Sequence, residues 1–571
     1  MRAWRRYVAP LAALALWLAA AAAPAAEPFR FTLLHTNDLH SHFEGGGPDA
    51  LFTPQAGDGD PVLGHYARLL TLIREVRRER EAAGEAVLTV DAGDAFSGSL
   101  FHALAPRPDL PAAPELEYFQ LAGYDALTLG NHEFDAGEAG YATMLEKVRA
   151  SGLPARLVAG NLVTGERTPP LLRALPKALV REVRAGGRVL RVGFLGYVGP
   201  GAARDCAPTR STTSFTGYDD TQGQPDLDAL SALARAQAAE LRARDKADLV
   251  IVLLHGGTGE EEALARTEGV DLVVAGHTHE LYDKPRVVAG RLVVQAGSYG
   301  RFLGRLDLAW DGHALALRNP GRTVVRVDDG VAADPQMLER IAGWKAALDR
   351  LTAPQGWRYG DRVTTIARDL HVGRGLHDPQ GRFVTSRIEA VLRRRLPQPP
   401  DLFFTELSLI REDWATAGGR PTPVQFSDVF RMLPLGFGPG FAPGSPIVAF
   451  WITPKELEGL VDVMELQRSL GRRGAMVYSD TLDYRVRWWG IPFVNRVTGL
   501  TLHGKPFEQW PPLVQVATTA YVAAYIPRLG AMTHGLARVE MKDRDGRPIA
   551  QPIALPVPGE AFLFADSFRT P

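Results

Sequence analysis

Five apolar runs in the first half of the chain each finish in residues able to bind a cation or move a proton. "FTLLHTNDLH" ends with Asp38 and His40, "VLTVDAGD" with Asp91 and Asp94, and "DALTLGNHEFD" with Asn131, His132, Glu133 and Asp135. "VIVLLHGG" ends with His255, and "DLVVAGHTHE" with His277 and His279. Taken singly, each has an ordinary explanation: an Asp after a strand caps a turn, and a lone His satisfies a hydrogen bond. Five at the same structural position point to one site. Residues at the carboxyl ends of sheet strands converge in space, and open α/β folds place ligands there. Oxygen and imidazole donors without thiolate suit Mn, Zn, Fe, Co or Ni, and suit Mg or Ca less where several histidines bind.

The elements that must position these residues are legible as an alternation. Apolar strands ("RFTLLHT", "AVLTV", "DALTLG", "RVLRVGFLGYV", "DLVIVLLH", "VDLVVAG") alternate with helical stretches such as "ARLLTLIREVRRERE" and "DLDALSALARAQAAELRARDK". That pattern predicts an α/β layered sandwich. Near Val325 it changes. "DPQMLERIAGWKAALDRL" predicts a helix and "TAPQGW" a turn, so residues 326–362 read as a linker. From Val363 the chain is mixed, with a buried strand "SPIVAFWI" before the helix "TPKELEGLVDVMELQ". There Thr453 and Glu456 form a capping-box pattern, with Pro454 at the first helical position.

Length and composition bound the answer. A chain of 571 residues exceeds a single hydrophobic core, so two or more domains are expected. A net charge of −1 predicts no electrostatic attraction to nucleic acid. "MRAWRRYVAP" and the apolar run after it, ending in small residues, read as a secretory leader over residues 1–26. The rival is a membrane anchor, but the run is short for a span of roughly 20 residues. A periplasmic or secreted protein is expected, with no membrane association after cleavage. The lone Cys206 cannot form an internal disulfide.

The motifs "TNDLHSH", "DAGDAFSG", "GNHEFD", "LLHGG" and "AGHTHE", in this order over roughly residues 30–300, resemble those of the calcineurin-like binuclear metallophosphoesterases. Within them the chain is most similar to the exported bacterial 5′-nucleotidase and UDP-sugar hydrolase group. The resemblance implies a four-layer α/β/β/α catalytic sandwich over residues 27–325 and an α/β substrate-binding domain over residues 363–571. It implies two divalent cations (Mn, Zn, Fe or Co). Asp38, His40 and His279 would hold one and Asn131, His255 and His277 the other, with Asp94 bridging. It makes His132 the transition-state histidine, oriented by Asp135, and leaves Glu133 as a partner of its own loop. His35, His42, His65 and His102 are expected to pack or face solvent.

The second half resembles the same family's substrate domain through "SLIRED" (Arg411), "GRFV" (Arg382) and "VATTAYVAAYIPRL" (Tyr521). "MLPLGF" departs from it, with Leu435 at a stacking position and Phe437 where a polar base contact is usual. The implied function is metal-dependent hydrolysis of a phosphate monoester, with a small molecule such as a nucleotide as substrate. Open alternatives are a relative acting on cyclic nucleotides, sugar nucleotides or S-sulfonates, and a binding protein of the same fold without turnover.

Overall fold

A computed structural model describes residues 27–46, 63–371, 379–416, 419–469, 476–487, 489–490, 496–533, 535 and 538–569. The leader expected over residues 1–26 lies outside the described residues. The first half begins β1 (Phe29–Thr36), α1 (Tyr66–Ala82), β2 (Ala86–Asp91), β3 (Ala126–Thr128), β4 (Leu157–Val158), β5 (Leu179–Ala185) and β6 (Arg188–Val198). It continues α2 (Leu227–Arg244), β7 (Leu249–Gly256), β8 (Leu272–His277), β9 (Arg286–Val288) and β10 (Arg291–Val294). β11 (Phe302–Trp310), β12 (Leu315–Leu317) and β13 (Val324–Arg326) complete it.

These strands form two sheets. One has the order β12-β11-β1-β2-β3-β4, with β13 beside β11; the other has the order β9-β10-β8-β7-β6-β5. Strands β1 to β4 run parallel to one another, as do β6, β7, β8 and β10. Side-chain alternation explains the layering. In β7, Leu249, Ile251 and Leu253 join Phe31, Leu33, Leu88 and Val90 of the other sheet in one core between the sheets. Val250, Val252 and Leu254, the intervening residues, pack on Leu230, Ala234, Ala238 and Leu241 of α2. A strand buried on both faces reads as a continuous apolar run, which is how "DLVIVLLH" reads. On the outer face of the first sheet, Leu34 meets Leu69, Leu70 and Ile73 of α1. The result is the α/β/β/α sandwich. Each fully buried Leu or Phe contributes about 1.5–3 kcal/mol, and these layers hold the polar strand ends at one rim.

Helix α3 (Pro335–Thr352) follows, capped by Asp334 Oδ1, which accepts from the Met337 N–H at 3.1 Å. Its Trp344 ring lies 5.1 Å from Phe43. The second half contains α4 (Pro379–Arg395), β14 (Leu402–Glu406), α5 (Phe426–Met432), β15 (Ile447–Ile452) and α6 (Pro454–Ser469). β16 (Met476–Tyr478), β17 (Val514–Thr519), β18 (Ile553–Ala554) and α7 (Glu560–Asp566) follow. Its mixed sheet has the order β16-β14-β17-β15-β18. Helix α6 starts with a reciprocal cap: Thr453 N–H donates to Glu456 Oε2 at 2.8 Å, and Glu456 N–H to Thr453 Oγ1 at 3.2 Å. One apolar cluster runs from α1 through Trp344 and Trp357 to Phe426, Phe430 and Phe562, so the second domain is seated on the sandwich.

Candidate metal centre and substrate contacts

Strand register brings the polar ends together. Thr36 pairs with Asp91 across β1 and β2, and Gly256 with His277 across β7 and β8. Beyond those ends Asp38, His40, Asp94, His277 and His279 all have φ between 49° and 83°. Such backbone costs a non-glycine residue on the order of 1–3 kcal/mol and persists only where the surroundings over-determine it. Here they do. The Asp38 N–H donates to Gly93 O at 2.9 Å, and the His40 N–H to Asp94 O at 3.0 Å. Asn37 Nδ2 and the His277 N–H donate to Asp38 Oδ2 at 2.7 and 2.9 Å. The glycine of "LGNHE" has its reason in the same place: a Cβ on Gly130 would lie 2.1 Å from Asp94 Oδ1. A Cβ on Gly276 would press on Ala92 O and Asp38 Oδ2 at 2.9 and 3.0 Å.

The side chains turn lone pairs toward one another. Ser97 O lies 2.7 Å from His40 Nδ1 and takes its proton, leaving Nε2 bare. That Nε2 is 3.1 Å from His279 Nε2, 3.7 Å from Asp94 Oδ2 and 3.8 Å from Asp38 Oδ1. Ala92 O takes the Nδ1 proton of His255 at 2.9 Å; His255 Nε2 then faces Asp94 Oδ2 at 3.0 Å and Asn131 Oδ1 at 3.2 Å. Asn131 Oδ1 is also 3.1 Å from His277 Nδ1. Acceptors held this close need a proton or a cation between them. Asp38, His40 and His279 form one convergent group and Asp94, His255 and His277 another. Their oxygen and nitrogen donors, without thiolate, fit divalent metal.

The groups also interact strongly through their charges. Burial alone would raise the Asp38 carboxyl, but the His279 ring outweighs it and holds the group down at about 2. Burial would lower His255, but Asp94 reverses this and raises it to about 10. His132 Nδ1 lies 2.8 Å from Asp135 Oδ2, and the His132 N–H donates to Asp94 Oδ1 at 2.8 Å. Burial opposes the charge on His132; Asp135 and Asp94 outweigh it and raise its pKa. Glu133 accepts from the N–H groups of Gly130, Asp94, Ala95 and Phe96 at 2.5–3.3 Å and thereby shapes both loops. Asp91 caps its own turn, accepting from Thr36 Oγ1 at 2.6 Å and the Gly93 N–H at 2.9 Å.

The second domain supplies three of the four expected substrate contacts to this neighbourhood. The Arg411 guanidinium donates to His132 Nε2. Phe437 stacks parallel to Phe96 at 5.9 Å and abuts His102 at 4.9 Å. Tyr521 lies within electrostatic reach of Asp135 and Arg411, and its N–H donates to Ser445 Oγ at 3.2 Å. Its ring is 5.7 Å from Tyr525, whose hydroxyl donates to Asp205 O in the sandwich at 2.5 Å. Arg382 is placed differently, donating from Nε to Asp480 Oδ1 at 2.8 Å. Leu435 is buried.

Sequence reasoning missed several neighbours. Tyr299 stacks on His42 at 4.0 Å, and its N–H donates to Asp38 O at 2.7 Å. Asp205 Oδ2 is 3.8 Å from His277 Nε2. His102, expected to be mere packing, is fully buried beside Phe96 and Phe437 and within electrostatic reach of Asp135 and His132. A histidine in an otherwise apolar buried turn was the available signal for it.

Residues 31–281 match the family described as calcineurin-like phosphoesterase. The chain is 28% identical over 336 residues to the trifunctional nucleotide phosphoesterase YfkN of Bacillus subtilis, covering 56% of this chain and 21% of that protein. It is 25% identical over 412 residues to the 5′-nucleotidase of Mus musculus, covering 68% of this chain and 63% of the mouse protein. It therefore spans less than two thirds of the length of either relative. A solved 5′-nucleotidase precursor from Thermus thermophilus superposes with a TM-score of 0.67 at 22% identity, covering 95% of this chain and 96% of that one, and shares the two-domain fold. The match over residues 31–281 spans every strand end that bears an expected ligand, and this part of the chain is similar to the calcineurin-like phosphoesterase family.

Proposed function

We propose that the protein is an exported metal-dependent hydrolase of phosphate monoesters, acting on nucleotides in the manner of a 5′-nucleotidase. The observation that carries this reading is the meeting of Arg411 with His132 Nε2 beside Asp94. An anionic phosphoryl group brought there has an arginine from one domain and an imidazole from the other. Asp38, His40 and His279 would hold one divalent cation and Asn131, His255 and His277 a second, with Asp94 shared between them. When bound, such a pair supplies Lewis acidity and brings the pKa of water toward neutrality.

The remaining work falls to side chains of this chain. Arg411 offers paired N–H donors to non-bridging phosphoryl oxygens. Asp135 accepts the Nδ1–H of His132 and, with Asp94, favours its charged form; with Arg411 turned to the phosphoryl oxygens, the Nε2–H can be given to the departing ester oxygen as the phosphorus–oxygen bond breaks and water adds to phosphorus. Phe437 and Tyr521 offer aromatic surface to the leaving group. The names of the relatives, a nucleotide phosphoesterase and a 5′-nucleotidase, favour nucleotides over the other esters. Among the described residues no helix is long and apolar enough to cross a membrane; the proposal of export rests on the leader sequence.

The test is a hydrolysis screen over nucleoside monophosphates, cyclic nucleotides, sugar nucleotides and an S-sulfonate, with Mn and Zn supplied separately. Phosphate release from the monophosphates above the others is expected. Turnover only of another ester would move the substrate class. Metal binding without turnover of any of them would leave a binding protein.

A further inference from the structure

Arg411 has a neighbour with a different destination. Arg411 and Glu412, though adjacent, have different partners. Arg411 reaches His132 in the sandwich, whereas Glu412 turns into a buried ionic cluster between the domains. Glu412 Oε1 lies 2.7 Å from His42 Nε2, and Glu412 Oε2 accepts from Arg431 at 2.6 Å. All three side chains are 3–5% exposed. Arg431, on α5, also donates to Gly45 O at 3.1 Å. The other ring nitrogen of His42 lies 2.7 Å from the carbonyl oxygen of His40. Thus one carboxylate ties the loop that bears Asp38 and His40 to the second domain.

Further hydrogen bonds hold the backbone of the same segment. The Arg411 N–H donates to Met432 O at 2.9 Å, at the end of α5, and Gln380 Nε2 donates to Glu412 O at 3.0 Å. Burial would raise the Glu412 carboxyl, but Arg431 and His42 outweigh it, so the group is held below its ordinary value and stays ionised. A buried charge left without its partners is strongly destabilising. The segment therefore has one well-satisfied position, and Arg411 is one residue from its anchor.

We propose that Glu412 is a positioning residue for the hydrolytic reaction: clasped by His42 and Arg431 across the domain interface, it sets the segment that places the Arg411 guanidinium at His132. This rests on the reading of Arg411 as a phosphate contact. Glu412 itself touches neither substrate nor the expected ligands of the metal.

The experiment is a double-mutant cycle in the full chain, with Mn supplied and adenosine monophosphate as probe. Arg411→Ala should lower kcat/KM by about 10²–10³, the scale of losing a charge-assisted phosphate contact. Glu412→Gln keeps the shape of the side chain and should lower kcat/KM by about 10-fold or more, with the same division between kcat and KM as Arg411→Ala and with bound metal unchanged. The decisive value is the double variant, expected within about twofold of Arg411→Ala alone. If the two losses multiply, or if Glu412→Gln loses metal, Glu412 acts otherwise and the proposal falls. If Arg411→Ala retains the parent rate, the reading of Arg411 falls first and this role with it. Should Glu412→Gln not fold, Arg431→Lys takes its place in the same cycle, with the same outcomes.

Discussion

In the sandwich, the seven expected ligands come from five strand ends and brace one another: His277 holds Asp38, His132 holds Asp94, and Glu133 gathers four N–H groups around the loops. Across the interface, Arg411, Phe437 and Tyr521 come from an irregular segment, a two-residue strand and the start of a four-residue helix. The first set is held by the sheets that also make the core. The second set is held by contacts to the other domain, such as Glu412 with His42 and Tyr525 with Asp205. The expected ligands are thus braced from within the core, whereas the expected substrate contacts depend on the interface between the domains. The largest effects of substitution should lie in the first region.

The harshest test of that division is Asp94→Asn. The Asp94 carboxylate contacts a side chain of each ligand group, His40 and His255. An amide in its place removes a negative charge from between cations. Turnover should nearly vanish and bound metal should fall, read by metal analysis beside the rate. Full metal occupancy with a near-parent rate would show that the bridge is elsewhere.

His132→Ala comes next. His132 touches Asp94 through its backbone and Asp135 and Arg411 through its ring, so its loss should spare the metal. We expect kcat to fall by about 10²–10⁴, the range for lost acid–base help, with metal content unchanged. An unchanged kcat removes the role; a loss of metal turns His132 into a ligand.

The contrast between the regions also explains what was legible. A ligand at a strand end announces itself, because a polar residue after an apolar run has a local pattern; Asp38, Asp94, His255 and His277 were visible this way. The left-handed backbone at Asp38, His40, Asp94, His277 and His279 was not, since nothing in Asp or His demands it. It is imposed by contacts from distant loops, such as Gly93 O on Asp38. His42 and Glu412 are 370 positions apart, and no spacing rule joins them. The layered fold was readable for the same reason as the ligands: the two faces of β7 are both apolar, and period and length suffice. Arg382 shows the opposite case, where a short local likeness pointed to the cleft and the side chain pairs with Asp480.

Two buried acids sharpen the comparison by a smaller effect. Glu133 in the sandwich is pushed up to about 7, chiefly by burial, yet both its oxygens are hydrogen-bonded. Glu560, at the start of α7, is pushed up to about 8 by burial alone, and its Oε1 has no hydrogen-bond partner. Between the ordinary value of 4.5 and about 8 the folded protein keeps a proton at Glu560 that the unfolded chain has lost, so this group's contribution to stability falls as pH rises through that window. Glu560→Gln should therefore stabilise the protein by about 1–3 kcal/mol near pH 8 and by much less near pH 5. Denaturant unfolding at the two pH values measures it. An equal gain at both would mean that charge is not the cause.

The smallest effect expected is among substrates. Leu435 is buried and offers no ring to a base. Phe437 offers one, but its face is already turned to Phe96; Tyr521 approaches from the Ser445 side. A base stacked on one ring loses roughly the 1–3 kcal/mol that a second ring supplies. Discrimination between bases needs hydrogen-bonding groups that punish the wrong analogue; the rings beside Phe437 are those of Phe96, His102 and Phe441. Arg411, by contrast, is proposed to address the phosphoryl group, which is common to every nucleotide. Adenine, guanine, cytosine and uracil monophosphates should thus be hydrolysed with kcat/KM values within about tenfold of one another, roughly 1.4 kcal/mol. The measurement is kcat/KM for the four nucleotides beside a simple aryl phosphate. A preference for one base of about 100-fold, on the order of 2.7 kcal/mol, would reveal a polar base pocket. The substrate side would then be as firmly specified as the metal side, and the contrast between the two regions would be gone.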